Sequence, residues 1–92
     1  MSYILDFSVL ALEDIAKHKK SGDKATLRKI EVLLGELQVH PTTGTGQPEK
    51  LKYNLEGLFS RRINKKHRLI YSIDENVVSV LVVSAYSHYN QK

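Results

Sequence analysis

Apolar and polar residues along this chain change rhythm once, near its middle. Residues 3–7, YILDF, read as a short strand. Ser8 fits an N-cap for a helix running to about residue 19. Leu12, Ile15 and Ala16 would form its apolar side, flanked by Glu13, Asp14 and Lys17. Ser21-Gly22-Asp23 breaks that helix and can cap the next. Over residues 23–38, Leu27, Ile30, Leu34 and Leu37 recur at spacings of 3, 4 and 3, one face of a second helix, which Val32 and Leu33 broaden. Gly35 inside it costs about 1 kcal/mol relative to Ala. Residues 40–50, HPTTGTGQPEK, form the one real loop, holding both prolines and two of the five glycines. Past Leu51 the period becomes 2. Residues 58–63, 68–73 and 77–86 read as strands, joined by turns at 64–66 and 74–76. Such short connections make them sequential and antiparallel. Residues 77–83 are apolar on both faces, which suits an interior strand. The expected fold class is α+β: one N-terminal strand, a helical hairpin, then an antiparallel β-meander covered on one face by the helices. Residues 1–92 are expected to form a single domain.

Composition narrows the setting. A chain of 92 residues buries roughly 60–65% of its unfolded surface, so its core is adequate and no more. It has no cysteine, which excludes disulfides and thiolate chemistry. No apolar run approaches about 18 residues, and the first residues lack the pattern of a signal peptide. The expectation is a soluble, cytoplasmic protein with no membrane association. The net charge is +4. Residues 1–46 balance six basic side chains against six acidic ones, whereas residues 47–92 carry eight against four. A one-sided basic excess points to a polyanionic partner, RNA or DNA first.

The candidate chemistry lies in that basic half. Residues 61–68 hold Arg61, Arg62, Lys65, Lys66, His67 and Arg68. Set opposite or diagonal across the short turn, Arg62 and Arg68 would leave the same open face with Ser60, Ile70 and Ser72. Leu69, Tyr71 and Ile73 would face the helices. Two guanidiniums side by side repel unless an anion lies between them, and their forks match phosphate oxygens. Glu49 precedes the strand-like start at Leu51, and a carboxylate there can take a proton from a hydroxyl. His88 follows the last apolar strand between Tyr86 and Tyr89, and imidazole can return a proton to a leaving oxygen. His18 and His40 read as ordinary surface residues, and His67 as structural, lining the turn. No His/acid pair has metal-ligand spacing, so no metal and no cofactor is expected.

The run Gly46-Gln-Pro-Glu-Lys-Leu-Lys52, then Asn54-Leu-Glu-Gly57, then Ser60-Arg-Arg-Ile-Asn-Lys-Lys-His-Arg-Leu-Ile-Tyr71, with His88-Tyr89 near the end, closely resembles the Txe/YoeB family of bacterial toxins, within the RelE-like superfamily. The resemblance implies a ribosome-dependent mRNA endonuclease that is neutralised by a cognate antitoxin. It implies Glu49 as general base, Arg62 and Arg68 as phosphate contacts, His88 as general acid and Tyr89 as the terminal aromatic. Lys52 falls on a basic position near the site, and Arg61, Lys65 and Lys66 would add RNA contacts. Two departures from the family pattern stand out. Tyr53 occupies a position that is often His, and residues 90–92 follow the tyrosine at which the family usually ends.

The matching chemistry is 2′-OH attack on the adjacent phosphorus, giving a 2′,3′-cyclic phosphate and a free 5′-OH, with DNA inert. Tyr89 would either stack on a base or hold the imidazole. Two other readings compete. One is a non-catalytic RNA- or DNA-binding module. The other is a toxin of the same superfamily aimed at a protein such as a topoisomerase. The ribosome, mRNA and an antitoxin are the expected partners, with a homodimer as a further expectation.

Overall fold

The computed structural model of the chain describes residues 2–84. Strand β1 (Ile4–Phe7) leads into helix α1 (Val9–Ser21) and helix α2 (Lys24–Leu37). A loop then reaches a two-residue strand, β2 (Glu49–Lys50), and a single 3₁₀ turn at Tyr53–Leu55. Strands β3 (Leu58–Arg62), β4 (Arg68–Asp74) and β5 (Val77–Ser84) complete the sheet. Its order is β1-β5-β4-β3-β2. The meander is antiparallel, as expected, and β5 lies inside the sheet because β1 pairs with it in parallel. No helix among the described residues is long and apolar enough to cross a membrane.

Both helices start on the predicted caps. Ser8 accepts the Ala11 N–H at 2.9 Å, and Asp23 accepts the Thr26 N–H at 3.1 Å. Gly22, with φ +79°, turns the chain between them in the left-handed region. The hairpin between β3 and β4 closes on Asn64, whose side-chain oxygen accepts the N–H groups of Lys66 and His67.

The core lies between the helices and one face of the sheet. Ile30, Leu33 and Leu37 of α2 meet Leu69, Tyr71, Val78, Val80 and Val83 there. Leu27 and Leu34 sit at the margin of that stripe, half-buried. Helix α1 departs from expectation. Its buried face is Ala11, Asp14 and His18, while Leu12 is 55% exposed. The rotation follows from polar contacts. Ser8, Asp14 and His18 all bond the backbone of β5, which orients the helix more strictly than one leucine can.

The second sheet face is not wholly open. Ile70 and Val82 are buried there beneath Leu51, Leu55 and Leu58. Residues 51–58 therefore roof the part of the face away from the β3–β4 turn. A register shift between Ile70 and Tyr71 leaves Leu81 as the extra residue of a bulge, since Ile70 pairs with Val82 and Tyr71 with Val80. The bulge re-phases β5. Val78, Val80 and Val83 point into the helical core, and Val82 and Ser84 join the other face.

Candidate active site

Strand register brings three of the expected residues together. Arg62 pairs directly with Arg68, and Ser60 with Ile70. Glu49 pairs with Ser60 on the far side of β3. Paired residues share a face, and so do residues two apart on one strand. Glu49, Ser60, Arg62 and Arg68 therefore rise from the same side of the sheet. The Arg62 N–H is turned away from β4, donating to the Gly46 carbonyl at 2.7 Å. Arg62 and Arg68 thus form the closer, non-hydrogen-bonded kind of cross-strand pair, with Cα atoms about 4.5 Å apart. Glu49 lies one diagonal step away, about 7–8 Å. Arg62 and Glu49 are exposed and Arg68 is half-buried. None of the three has a side-chain hydrogen bond or ion pair with another described residue.

Gly46 makes this alignment feasible. Its φ is +84°, and a Cβ on it would stand 2.8 Å from the Arg62 carbonyl oxygen. The loop can therefore lie directly against β3 and deliver Glu49 beside Ser60. Lys52, Lys65 and Lys66 are exposed around this site, Lys52 on the roof and the other two in the turn. Tyr53 stands beside Lys52, 81% exposed, with φ +62°, a backbone region that side-chain-bearing residues seldom adopt. His88 and Tyr89 lie outside the described residues. Ser84, however, pairs with Arg68.

Arg61 is a correction. It was expected to touch RNA, but it is fully buried on the helical side of the sheet. Its five N–H donors all find acceptors. Nε donates to Tyr71 Oη at 3.3 Å, and Nη1 to Glu36 Oε1 at 2.7 Å and to the Thr45 carbonyl at 3.2 Å. Nη2 donates to the carbonyls of His40 and Thr43 at 2.8 and 2.7 Å. The alternation that sends Arg62 outward sends Arg61 inward, so the signal was present in the sequence. The long loop is in turn wrapped around this guanidinium. Tyr71 Oη donates to the Pro41 carbonyl at 2.6 Å, and burial raises its pKa above the ordinary value. For Glu36, burial pushes upward, yet the hydrogen bonds from Thr45 and Arg61 outweigh it and hold the carboxyl below the usual range.

His18 does not lie on the surface as expected. His18 is buried, and its Nε2 donates to the Val83 carbonyl at 2.7 Å. The His67 ring meets it edge-on, with centroids 4.5 Å apart. His67 lines the turn, as expected, but its buried Nδ1 has no hydrogen-bond partner among the described residues. Burial chiefly, with the neighbouring His18 and Lys66, lowers its pKa from 6.5 against the pull of Asp14 and Asp23. The sign follows from proton uptake. As pH falls below about 6.5, the unfolded chain binds a proton there that the folded chain resists, so stability declines. Denaturation midpoints should drop between pH 7.5 and the lowered folded value. His67→Leu should flatten that dependence, and an unchanged slope in that variant would remove His67 as its source.

A family model for YoeB-like toxins of bacterial type II toxin-antitoxin systems matches residues 7–89. The toxin YoeB of Synechocystis is 40% identical over 72 residues, which cover 78% of this chain and 81% of that protein. The YoeB dimer from Staphylococcus aureus superposes with a TM-score of 0.79 at 38% identity, covering 94% of this chain and 99% of that one. A heterotetrameric YoeB-YefM toxin-antitoxin complex from the same species gives a TM-score of 0.78 at 38% identity, with coverage of 94% and 99%. An N-terminal strand, two helices and a meander with a double-arginine hairpin, matched along nearly its whole length, make this chain a member of the YoeB-like family of type II toxins.

Proposed function

We propose that this protein is a ribosome-dependent mRNA endonuclease of a toxin-antitoxin pair, working as one domain over residues 1–92 in the cytoplasm and without a metal or cofactor. Glu49 removes the proton from a ribose 2′-OH, and that oxygen attacks the adjacent phosphorus in line. Arg62 and Arg68 stabilise the negative charge that builds on the equatorial oxygens. His88 donates a proton to the departing 5′-oxygen, and Tyr89 stacks on a base or holds that imidazole. Lys52, Lys65 and Lys66 draw the RNA backbone toward the site.

The observation that carries this reading is the shared face of Glu49, Arg62 and Arg68. A base sits one diagonal step from Arg62, whose cross-strand partner is Arg68, and neither guanidinium has a side-chain partner among the described residues, which suits one phosphodiester and its 2′-OH. The ribosome enters through family membership. The antitoxin partner is supported by the YoeB-YefM complex from S. aureus, and a homodimer by the YoeB dimer of that species. An acidic antitoxin segment laid over the arginine face would neutralise it.

Mapping the ends of messages in cells expressing the protein tests the reading. Cut mRNA bearing 2′,3′-cyclic phosphate and 5′-OH ends is expected, together with translation arrest. Intact mRNA would leave a non-catalytic nucleic-acid-binding module. DNA damage in place of cleavage would point to a topoisomerase target. Cleavage of naked RNA at a comparable rate would remove the ribosome from the mechanism.

A further inference from the structure

The packing of the fold gives no reason for Tyr53. The residue is 81% exposed, and no other Phe or Tyr among the described residues is exposed. Its φ of +62° also lies in the left-handed region. Gly takes that conformation freely and Asn tolerates it, whereas a large side chain is strained there. Stability alone would favour Gly or Asn at this position. A strained residue whose side chain packs against almost nothing is a pointer to something outside the fold.

The backbone around it is held from both sides. The Leu51 N–H donates to the Leu58 carbonyl at 2.9 Å and closes the β2–β3 hairpin. Within that closure the N–H groups of Leu55 and Glu56 donate to the carbonyls of Lys52 and Tyr53, both at 3.1 Å. Leu51 and Leu55 pack with Ile70 and Val82. The exposed ring is therefore carried on a turn seated against the sheet. It is presented before any partner arrives, which lowers the ordering cost of binding.

That turn borders the candidate active site. Glu49 and Leu51, two residues apart, rise from the same sheet face, so the roof begins beside Glu49. Four extended residues place the Tyr53 Cα within about 14 Å of the Glu49 Cα. The chemistry of the turn suits RNA. Single-stranded RNA offers unstacked bases, and every base has a face on which an aromatic ring can stack. Lys52, exposed beside the ring, can meet a backbone phosphate. An apolar protein partner would call for an apolar rim around the ring. The residues flanking Tyr53 are Lys52 and Asn54, both exposed and polar.

We propose that Tyr53 is a substrate-binding residue that stacks on a nucleobase of the message beside the scissile phosphate and holds the message in register for cleavage. This rests on the reading of the protein as an mRNA endonuclease.

The test uses the full-length protein, freed from its antitoxin, on ribosomes programmed with message. Tyr53→Asn removes the ring and accepts the left-handed backbone, so its melting temperature should hold or rise. Its kcat/KM should fall about 5- to 150-fold, the range for one base–aromatic stack. Tyr53→Phe keeps the ring and should stay within about 2-fold of wild type. If Tyr53→Asn folds poorly, Tyr53→Gly carries the same test.

Messages with an abasic nucleotide at each position flanking the cut supply the discriminating measurement. At one position the missing base should slow the wild type and add no further loss in Tyr53→Asn, because the same contact is already gone. Four results would overturn the stacking role. They are wild-type cleavage by Tyr53→Asn, an equal loss in Tyr53→Phe, abasic losses that multiply with Tyr53→Asn at every position, and weakened antitoxin affinity with normal cleavage. An absence of cleavage by the wild type would instead overturn the endonuclease reading beneath it.

Discussion

Glu49→Gln is expected to reduce message cleavage by about 10²- to 10⁴-fold, the usual contribution of a general base, with the fold intact. The substitution keeps the size and hydrogen-bonding capacity of the side chain and removes only its ability to take a proton. Glu49 is exposed in a two-residue edge strand and has no side-chain partner among the described residues, so little stability depends on it. Arg68→Ala should cost a similar factor by a different route, because it halves the charge facing the phosphate. Arg68→Lys should recover only part of the activity, since one ammonium cannot reproduce a guanidinium fork. Single-turnover rates on programmed ribosomes, beside melting curves for each variant, check both. A Glu49→Gln protein that cut at the normal rate would take the base role away from Glu49.

Arg61→Ala is expected to destabilise the protein by about 3–5 kcal/mol, the cost of leaving three loop carbonyls and the half-buried Glu36 carboxylate without their shared donor. The removed guanidinium bonds Glu36, Tyr71 and the carbonyls of His40, Thr43 and Thr45, tying helix α2 and the long loop to β3. A 92-residue domain has a total stability of roughly 5–14 kcal/mol, so much of the margin would go. The melting temperature should fall by more than about 10 °C. Arg62→Ala, one residue along and facing solvent, should shift it by no more than a few degrees. Thermal unfolding of the two variants side by side would separate them, and equal stabilities would contradict the division of the Arg-Arg pair into an inner structural residue and an outer functional one.

The contrast between those two arginines shows how far the sequence could be read. Period-2 alternation between residues 58 and 73 is a local property, set by the pleat of each strand, and it was enough to send Arg62, Arg68 and Ser60 to one face. Carried through consistently, it also sends Arg61 to the helices. A run of positive charge drew that residue to the RNA instead. Helix α1 misled in a similar way. Leu12 and Ile15 are the obvious apolar residues, yet Asp14 and His18 occupy the buried stripe with Ala11.

Elements held by interactions within a few residues were thus written plainly in the chain. The caps at Ser8 and Asp23, the Asn64 turn, the helical stripe of α2 and the alternation along the hairpin strands all depend on neighbours two to four positions away. Features that depend on distant partners were not. The parallel pairing of β1 with β5, the bulge opposite Ile70 and Tyr71, and the roof over Ile70 all lie beyond any local pattern. So do the Arg61–Glu36 pair across 25 positions and the Asp14–Val83 bond across 69. A buried polar group looks the same in a sequence as a solvated one. Only the closure of the chain brings it the partner that makes its burial possible.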